Sequence, residues 1–155
     1  MKLKITQAAE TSAETVFQAF LRFERYEQAL AQYNVHLTRS HGWTKPALGV
    51  TWSGKAEIKG KPRRITAELV HLETDRGITL HARVGGLRLE TDFDLVPLGR
   101  DLTRVNMTID LKPDTLTARL AVQGLKLKRA KVLQSIQARL NKEVKWIETR
   151  ASPAA

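Results

Sequence analysis

Gly85-Gly86 separates two runs in which apolar and polar residues alternate, Ile78 to Val84 and Leu87 to Leu95, and this arrangement narrows the fold more than any other feature. A two-residue glycine turn between period-2 runs is a β-hairpin signal, because glycine reaches the positive φ angles that such turns need. It pairs Val84 with Leu87, Ala82 with Leu89, Leu80 with Thr91 and Ile78 with Phe93. Read the same way, a Gly60-Lys61 turn pairs Ile58 with Arg63, Ala56 with Ile65, Gly54 with Ala67 and Trp52 with Leu69. An Asp75-Arg76 loop sets His71 opposite Leu80 and Leu69 opposite Ala82. A loop over Pro97 to Asp101 brings Thr91 near Met107 and Leu89 near Ile109. Together these registers leave Lys55, Glu57, Thr66, Glu68, Thr79, Arg83, Arg88, Glu90, Asp92, Asp94, Arg104, Asn106 and Asp110 on the opposite face. A slip of one residue would invert a whole strand, so the agreement predicts an antiparallel meander with one wet face.

The apolar face needs a cover, and the stretch from Asp114 to Ile147 is the one long enough to supply it. At about 100° per residue, Ala118, Val122, Leu125, Val132, Leu133, Ile136, Leu140, Val144 and Ile147 share one face of a helix. Asp114 after Pro113 reads as its N-cap. Gly124, inside the pattern, predicts a bend or a close contact. Arg129 falls in the apolar stripe. Leu116, Leu120 and Leu127 fall on the opposite side and ask for a separate cover. Trp146 reads as an anchor for the helix end.

Before the meander, Lys2 to Thr6 reads as a first strand. Thr11-Ser12-Ala13-Glu14 caps a short helix carrying Val16, Phe17, Phe20 and Leu21. A second short helix follows over Phe23 to Tyr33, then a strand over Val35 to Arg39. His41 to Pro46 reads as a loop, in which Trp43 either flanks a cavity mouth or is a partly buried anchor. The 155 residues suit a single domain over 1–150 with a frayed tail at 151–155. The opening residues lack the apolar run of a signal peptide, and no apolar run approaches the ~18 residues of a membrane span. The expected location is therefore cytoplasmic. With no cysteine, disulfides and thiolate metal sites are excluded. His36, His41 and His81 lack partners at metal-ligand spacing, so neither metal nor cofactor is expected.

Charge is unevenly placed. The chain carries a net +10, and Lys112 to Arg150 holds ten basic residues against three acidic ones. Such a segment suits an anionic membrane, a nucleic acid or an acidic partner, or simply a solvated helix back. The outward sheet face lacks the aromatic residues of a nucleic-acid reader, so nucleic acid is the weaker of these readings. Leu116, Leu120 and Leu127 beside Lys126, Lys128 and Lys131 make a candidate docking patch for an anionic membrane.

The order of elements resembles the helix-grip fold of the START/Bet v 1-like (SRPBCC, polyketide cyclase/dehydrase-like) superfamily, in a bacterial form. Its carriers are the opening AAETSAETVFQAFLRFERYEQAL, the strand pair GVTWSGKAEIKGKPRRITAEL, the segment DFDLVPLGRDLTRVNMTIDL and the long final helix. The resemblance spans about residues 1–150 and is architectural, with no invariant catalytic signature. It implies an α+β domain: a curved antiparallel sheet of six to seven strands around a long C-terminal helix, with two short helices after the first strand.

It also implies an apolar cavity between sheet and helix, for a lipid, quinone or polyketide-like ligand. Small inner-face residues, Gly54, Ala56, Ala67 and Ala82, leave room for one unless larger side chains fill it. The cavity candidates are Trp52, Leu69, His71, Leu80, Thr91, Phe93, Met107, Arg129 and Leu133. A row of Val50, His71, Leu80, Thr91 and Met107 would make His71 and Thr91 polar handles. Arg129 would reach an acidic headgroup or lay its stem over the core. Three functions stay open. The first is a binding module without catalysis. The second is a cyclase/hydratase-type enzyme using His71 as acid–base group with Thr91 or Arg129. The third is a basic protein that docks on anionic membrane or ribosomal RNA.

Overall fold

The computed structural model describes residues 1–40 and 48–151. The loop expected around Trp43 and most of the tail expected after residue 150 lie outside the described residues. Seven strands form one antiparallel sheet: β1 (Lys2–Ala9), β2 (Val35–Arg39), β3 (Thr51–Ile58), β4 (Lys61–Glu73), β5 (Gly77–Val84), β6 (Leu87–Gly99) and β7 (Leu102–Pro113). Their order across the sheet is β1-β7-β6-β5-β4-β3-β2. Helices α1 (Ala13–Phe20) and α2 (Phe23–Ala31) follow β1, and α3 (Leu116–Leu127) and α4 (Arg129–Trp146) close the chain. A π-helical turn, Ile147–Ala151, extends α4. This is the helix-grip arrangement that the element order predicts.

The face assignment holds across the sheet except at His71, and three registers differ. The β5–β6 hairpin pairs as expected around Gly85-Gly86. The β3–β4 turn falls on Lys59-Gly60, both at positive φ, so Ile58 meets Lys61 and Trp52 meets Ala67. Thr91 pairs with Ile109, and Met107 with Phe93. Both shifts are by two residues, which preserves the face because side chains repeat every second residue. The third difference does change a face. The β4–β5 loop has three residues, Thr74 to Arg76, with Asp75 at φ 60°. An odd loop reverses the inward set, and a bulge between Leu69 and His71 restores it. Val70 and His71 together oppose Thr79, so Leu72 joins Ile78 on the inner face and His71 turns outward.

The final helix is in two segments, and the break lies at Lys128 rather than at Gly124. Lys128 leaves helical geometry at φ −109°, ψ 23°, and its N–H donates to Leu125 O at 3.0 Å. Gly124 continues the helix, with open space where a Cβ would stand. In an unbroken helix Arg129 would enter the apolar stripe, and an unpaired guanidinium there is costly. Beyond the break it lies exposed and donates from Nη2 to Lys2 O at 3.0 Å. Gln137 donates to Thr6 O, also at 3.0 Å. Eight residues of helix rise ~12 Å and four of strand ~13 Å, so α4 runs in step with the free edge of β1. The N-cap of α3 is Thr115, whose hydroxyl accepts from Ala118 N at 3.1 Å. Asp114 instead accepts from Arg88 Nε at 2.7 Å and Nη2 at 3.0 Å. This hydrogen bonding by Arg88, against the opposing effect of burial, holds the Asp114 carboxyl below the usual carboxylate range.

Buried side chains form two clusters. The larger joins α1, Phe23 of α2, Val50, Trp52, Leu69, Ile78, Leu95 and Val105 to Leu140, Val144 and Ile147. A smaller one is Leu3, Leu111 and Val122. Leu133 and Ile136 of α4 pack against both.

Candidate functional site

Between the two clusters the inner sheet face is apolar but only half-buried. Ala67, Leu80, Ala82, Leu89, Phe93, Met107 and Ile109 keep part of their surface open to solvent, with Thr91 among them. The pairing sets them in rows: Leu69, Leu80, Thr91 and Ile109 in one, Ala67, Ala82, Leu89 and Leu111 in the next. The reason for the incomplete cover is where α4 lies. It packs along β1, at one edge of the sheet, and reaches the centre chiefly through Leu133 and Ile136. Alanines at 67 and 82 lower the floor further.

Of the expected cavity residues, Leu80, Thr91, Phe93, Met107 and Leu133 stand at this floor and its cover. Leu69 is fully buried below it. Trp52 is buried as an end wall, edge-on to Phe23 at 5.0 Å between ring centroids, with Nε1 donating to Glu27 Oε2 at 2.8 Å. Arg39 Nε reaches the same Glu27 oxygen at 2.8 Å. His71 is a correction: the bulge turns it to the outer face, where Nε2 lies 3.7 Å from Glu73 Oε2. Arg129 is a second, since its guanidinium is engaged at the outer edge of β1. Gly54 is a third, because a Cβ there would overlap the His36 carbonyl oxygen; its smallness admits strand β2 rather than a ligand.

Two features go beyond the expected cavity residues. Leu89, Ile109 and Ile136 belong to the floor and its cover, as their places in the apolar alternation already implied. Less visible was a polar cluster between α2 and α4. Tyr26 donates its hydroxyl to Glu143 Oε1 at 2.7 Å, and Arg25 Nη1 donates to the same oxygen. The Arg25 guanidinium lies 3.7 Å from the Trp146 ring centroid, a cation–π contact that makes Trp146 the anchor expected. Burial first, then the Glu143 charge, pushes the Tyr26 phenol well above its ordinary range.

An open groove of about 520 Å³ crosses the outer face of β3 to β6, lined by Thr66, Glu68, His81, Arg83, Arg88 and Glu90 among others. Its arginines are already paired with Asp114, and Glu90 with Lys112 at 3.0 Å. It is a charged hollow of the twisted sheet, and Ala67, Ala82 and Leu89 of the apolar floor also contribute to its lining. Among the described residues no cluster of three His, Cys, Asp or Glu suits a metal ion, and no helix is long and apolar enough to cross a membrane.

No protein-family model matches the chain, and no curated protein matches it. Solved structures do. Norcoclaurine synthase from Thalictrum flavum superposes with a TM-score of 0.68 at 9% identity, covering 97% of this chain and 94% of that one. The Zhui aromatase/cyclase from Streptomyces sp. R1128 gives 0.65 at 10% identity, over 99% of both chains. A START superfamily protein from Mycobacterium smegmatis gives 0.56 at 18% identity, over 91% of this chain and 97% of that one. The fold is therefore the START/Bet v 1-like one that the sequence pattern resembles.

Proposed function

We propose that this protein binds a small hydrophobic molecule between the floor of β4 to β7 and helix α4. The observation that carries the reading is the half-buried state of Leu80, Ala82, Leu89, Phe93, Met107 and Ile109 on the face turned toward the helix. Apolar surface removed from water contributes about 25 cal/mol per Å², so a ligand that completes this burial gains affinity without any charged contact. No ionisable side chain stands among these residues, which favours a neutral or weakly polar ligand. Thr91 offers one hydroxyl to orient it. A norcoclaurine synthase structure holds dopamine and hydroxybenzaldehyde, which supports aromatic molecules as the first to try, beside quinones and fatty acids. The residues available for acid–base chemistry do not converge: His71 lies outside, Arg129 at the β1 edge and Thr91 on the floor. Binding is thus the reading the geometry favours over a cyclase.

A titration with the dye anilinonaphthalene sulfonate, followed by competition with a quinone or fatty acid, tests this. Ala82→Trp and Leu89→Trp, which fill the floor, should each weaken dye binding at least about tenfold with folding retained. Equal dye affinity in the native protein and in both variants would overturn the proposal.

A further inference from the structure

Helix α3 is apolar on two sides. Ala118, Val122 and Leu125 face the sheet, with Val122 packed beside Leu3 and Leu111. On the other side Leu116, Leu120 and Leu127 form a stripe left 73%, 65% and 90% exposed. At helical spacing these three lie within about 40° of one another. Large apolar side chains gathered in a stripe, unlike scattered ones, mark a surface that meets something.

Charge says what it meets. Arg119, Lys126, Lys128 and Lys131 border the stripe, all exposed, and none pairs with a carboxylate among the described residues. From Thr115 to Lys142 the chain has basic residues and no acidic one. Around its turn the neighbouring β3–β4 hairpin repeats the pattern: from Lys55 to Arg64 it carries Lys55, Lys59, Lys61, Arg63 and Arg64 against Glu57 alone, with Ile58 exposed near its tip. Both elements stand at the same end of the sheet. Gly85 N donates to Arg64 O at 3.4 Å, and Asp114 N, just before α3, donates to Gly86 O at 2.8 Å.

We infer that α3 docks on an anionic phospholipid surface, its leucine stripe entering the acyl boundary and its bordering arginine and lysines meeting the headgroups. A basic amphipathic helix lying in the interface plane has this division of labour. A second copy of the chain is a poorer occupant, because a symmetric contact through the stripe would face unpaired cations against unpaired cations. Nucleic acid would use the charge but leave the leucines in water. The inward side of α3 borders the floor at Leu89 and Ile109, so docking places the ligand site beside the lipid. The docking itself does not depend on that site.

Co-sedimentation of the whole protein with vesicles tests this, using phosphatidylcholine alone and phosphatidylcholine with phosphatidylglycerol. Binding is expected to the second only, weakening as salt is raised. The triple variant Leu116→Ser/Leu120→Ser/Leu127→Ser should lose at least about tenfold; its changes are at exposed positions, and its dye binding on the floor should be retained. Absence of binding to anionic vesicles, or equal binding by the triple variant, overturns the proposal. So does a native dimer, seen by light scattering, that the triple variant dissociates. Dye binding without vesicle binding rejects the docking and leaves the ligand proposal standing; the reverse result rejects only the ligand.

Discussion

The Tyr26 hydroxyl donates to Glu143 Oε1 at 2.7 Å and so joins α2 to the end of α4 across 117 residues of sequence. Arg25 shares that oxygen, and Glu143 is only 17% exposed. Glu143→Ala would leave a phenol and a guanidinium without their acceptor. The expected loss is about 2 kcal/mol of folding stability, measured by urea denaturation. Glu143→Gln should lose less, because its amide oxygen still accepts.

The same bond sets a pH dependence. Burial, then Glu143, raises the Tyr26 phenol above its ordinary value of 10.0, so the folded state holds this proton more tightly than the unfolded chain. Its stabilisation is complete below the unfolded pKa and declines as pH rises beyond it. The urea midpoint should fall between about pH 9 and about pH 11, and less steeply in Tyr26→Phe. Equal slopes in the two proteins would remove Tyr26 from the account.

Two glycines should respond in opposite directions to alanine. A Cβ at Gly86 would overlap the Thr115 side chain, whose hydroxyl caps α3; displacing that cap should cost about 1 kcal/mol. Gly124 lies inside α3 with nothing near its absent Cβ, so Gly124→Ala should gain about 1 kcal/mol. Thermal denaturation of the two variants reads both signs.

The face of nearly every strand residue was legible in the sequence, because alternation survives a register error of two. That is why Leu80, Thr91, Phe93 and Met107 reach the floor although Met107 pairs with Phe93 instead of Thr91. His71 was misread for a local reason. The run Leu69-Val70-His71-Leu72-Glu73 breaks period 2, since Leu69 and Leu72 are three apart, and the extra residue is absorbed as a bulge. That signal stood in the sequence. The break at Lys128 did not, as Lys128 carries no mark of a helix end and Gly124 carries a false one. Nor did the Tyr26–Glu143 cluster, which depends on how α2 crosses α4 and has no periodicity to reveal it.

The outward turn of His71 carries a prediction for the ligand site. His71→Ala should leave dye and ligand affinity within about twofold, whereas Thr91→Val should weaken ligands bearing a hydrogen-bonding group by about fivefold and spare purely apolar ones. Parallel titrations with a quinone and with a hydrocarbon of similar size separate the two effects. A large loss in His71→Ala would restore it to the site.

Arg129 and Gln137 bond the carbonyls of Lys2 and Thr6 on the free edge of β1, and an edge strand with open carbonyls is a template for another chain. Both bonds are exposed, so Arg129→Ala/Gln137→Ala should cost only about 1 kcal/mol. The larger effect should be kinetic and intermolecular. With its side-chain ties removed, α4 opens from β1 more often, and hydrogen exchange should quicken in both elements while β5 and β6 stay protected. The bared edge should also raise concentration-dependent association, read by light scattering. Either change alone has another source: faster exchange without association would mean loosening of α4 that leaves β1 covered, and association without faster exchange would mean a new surface contact. Both together are what the stitching of helix to edge requires.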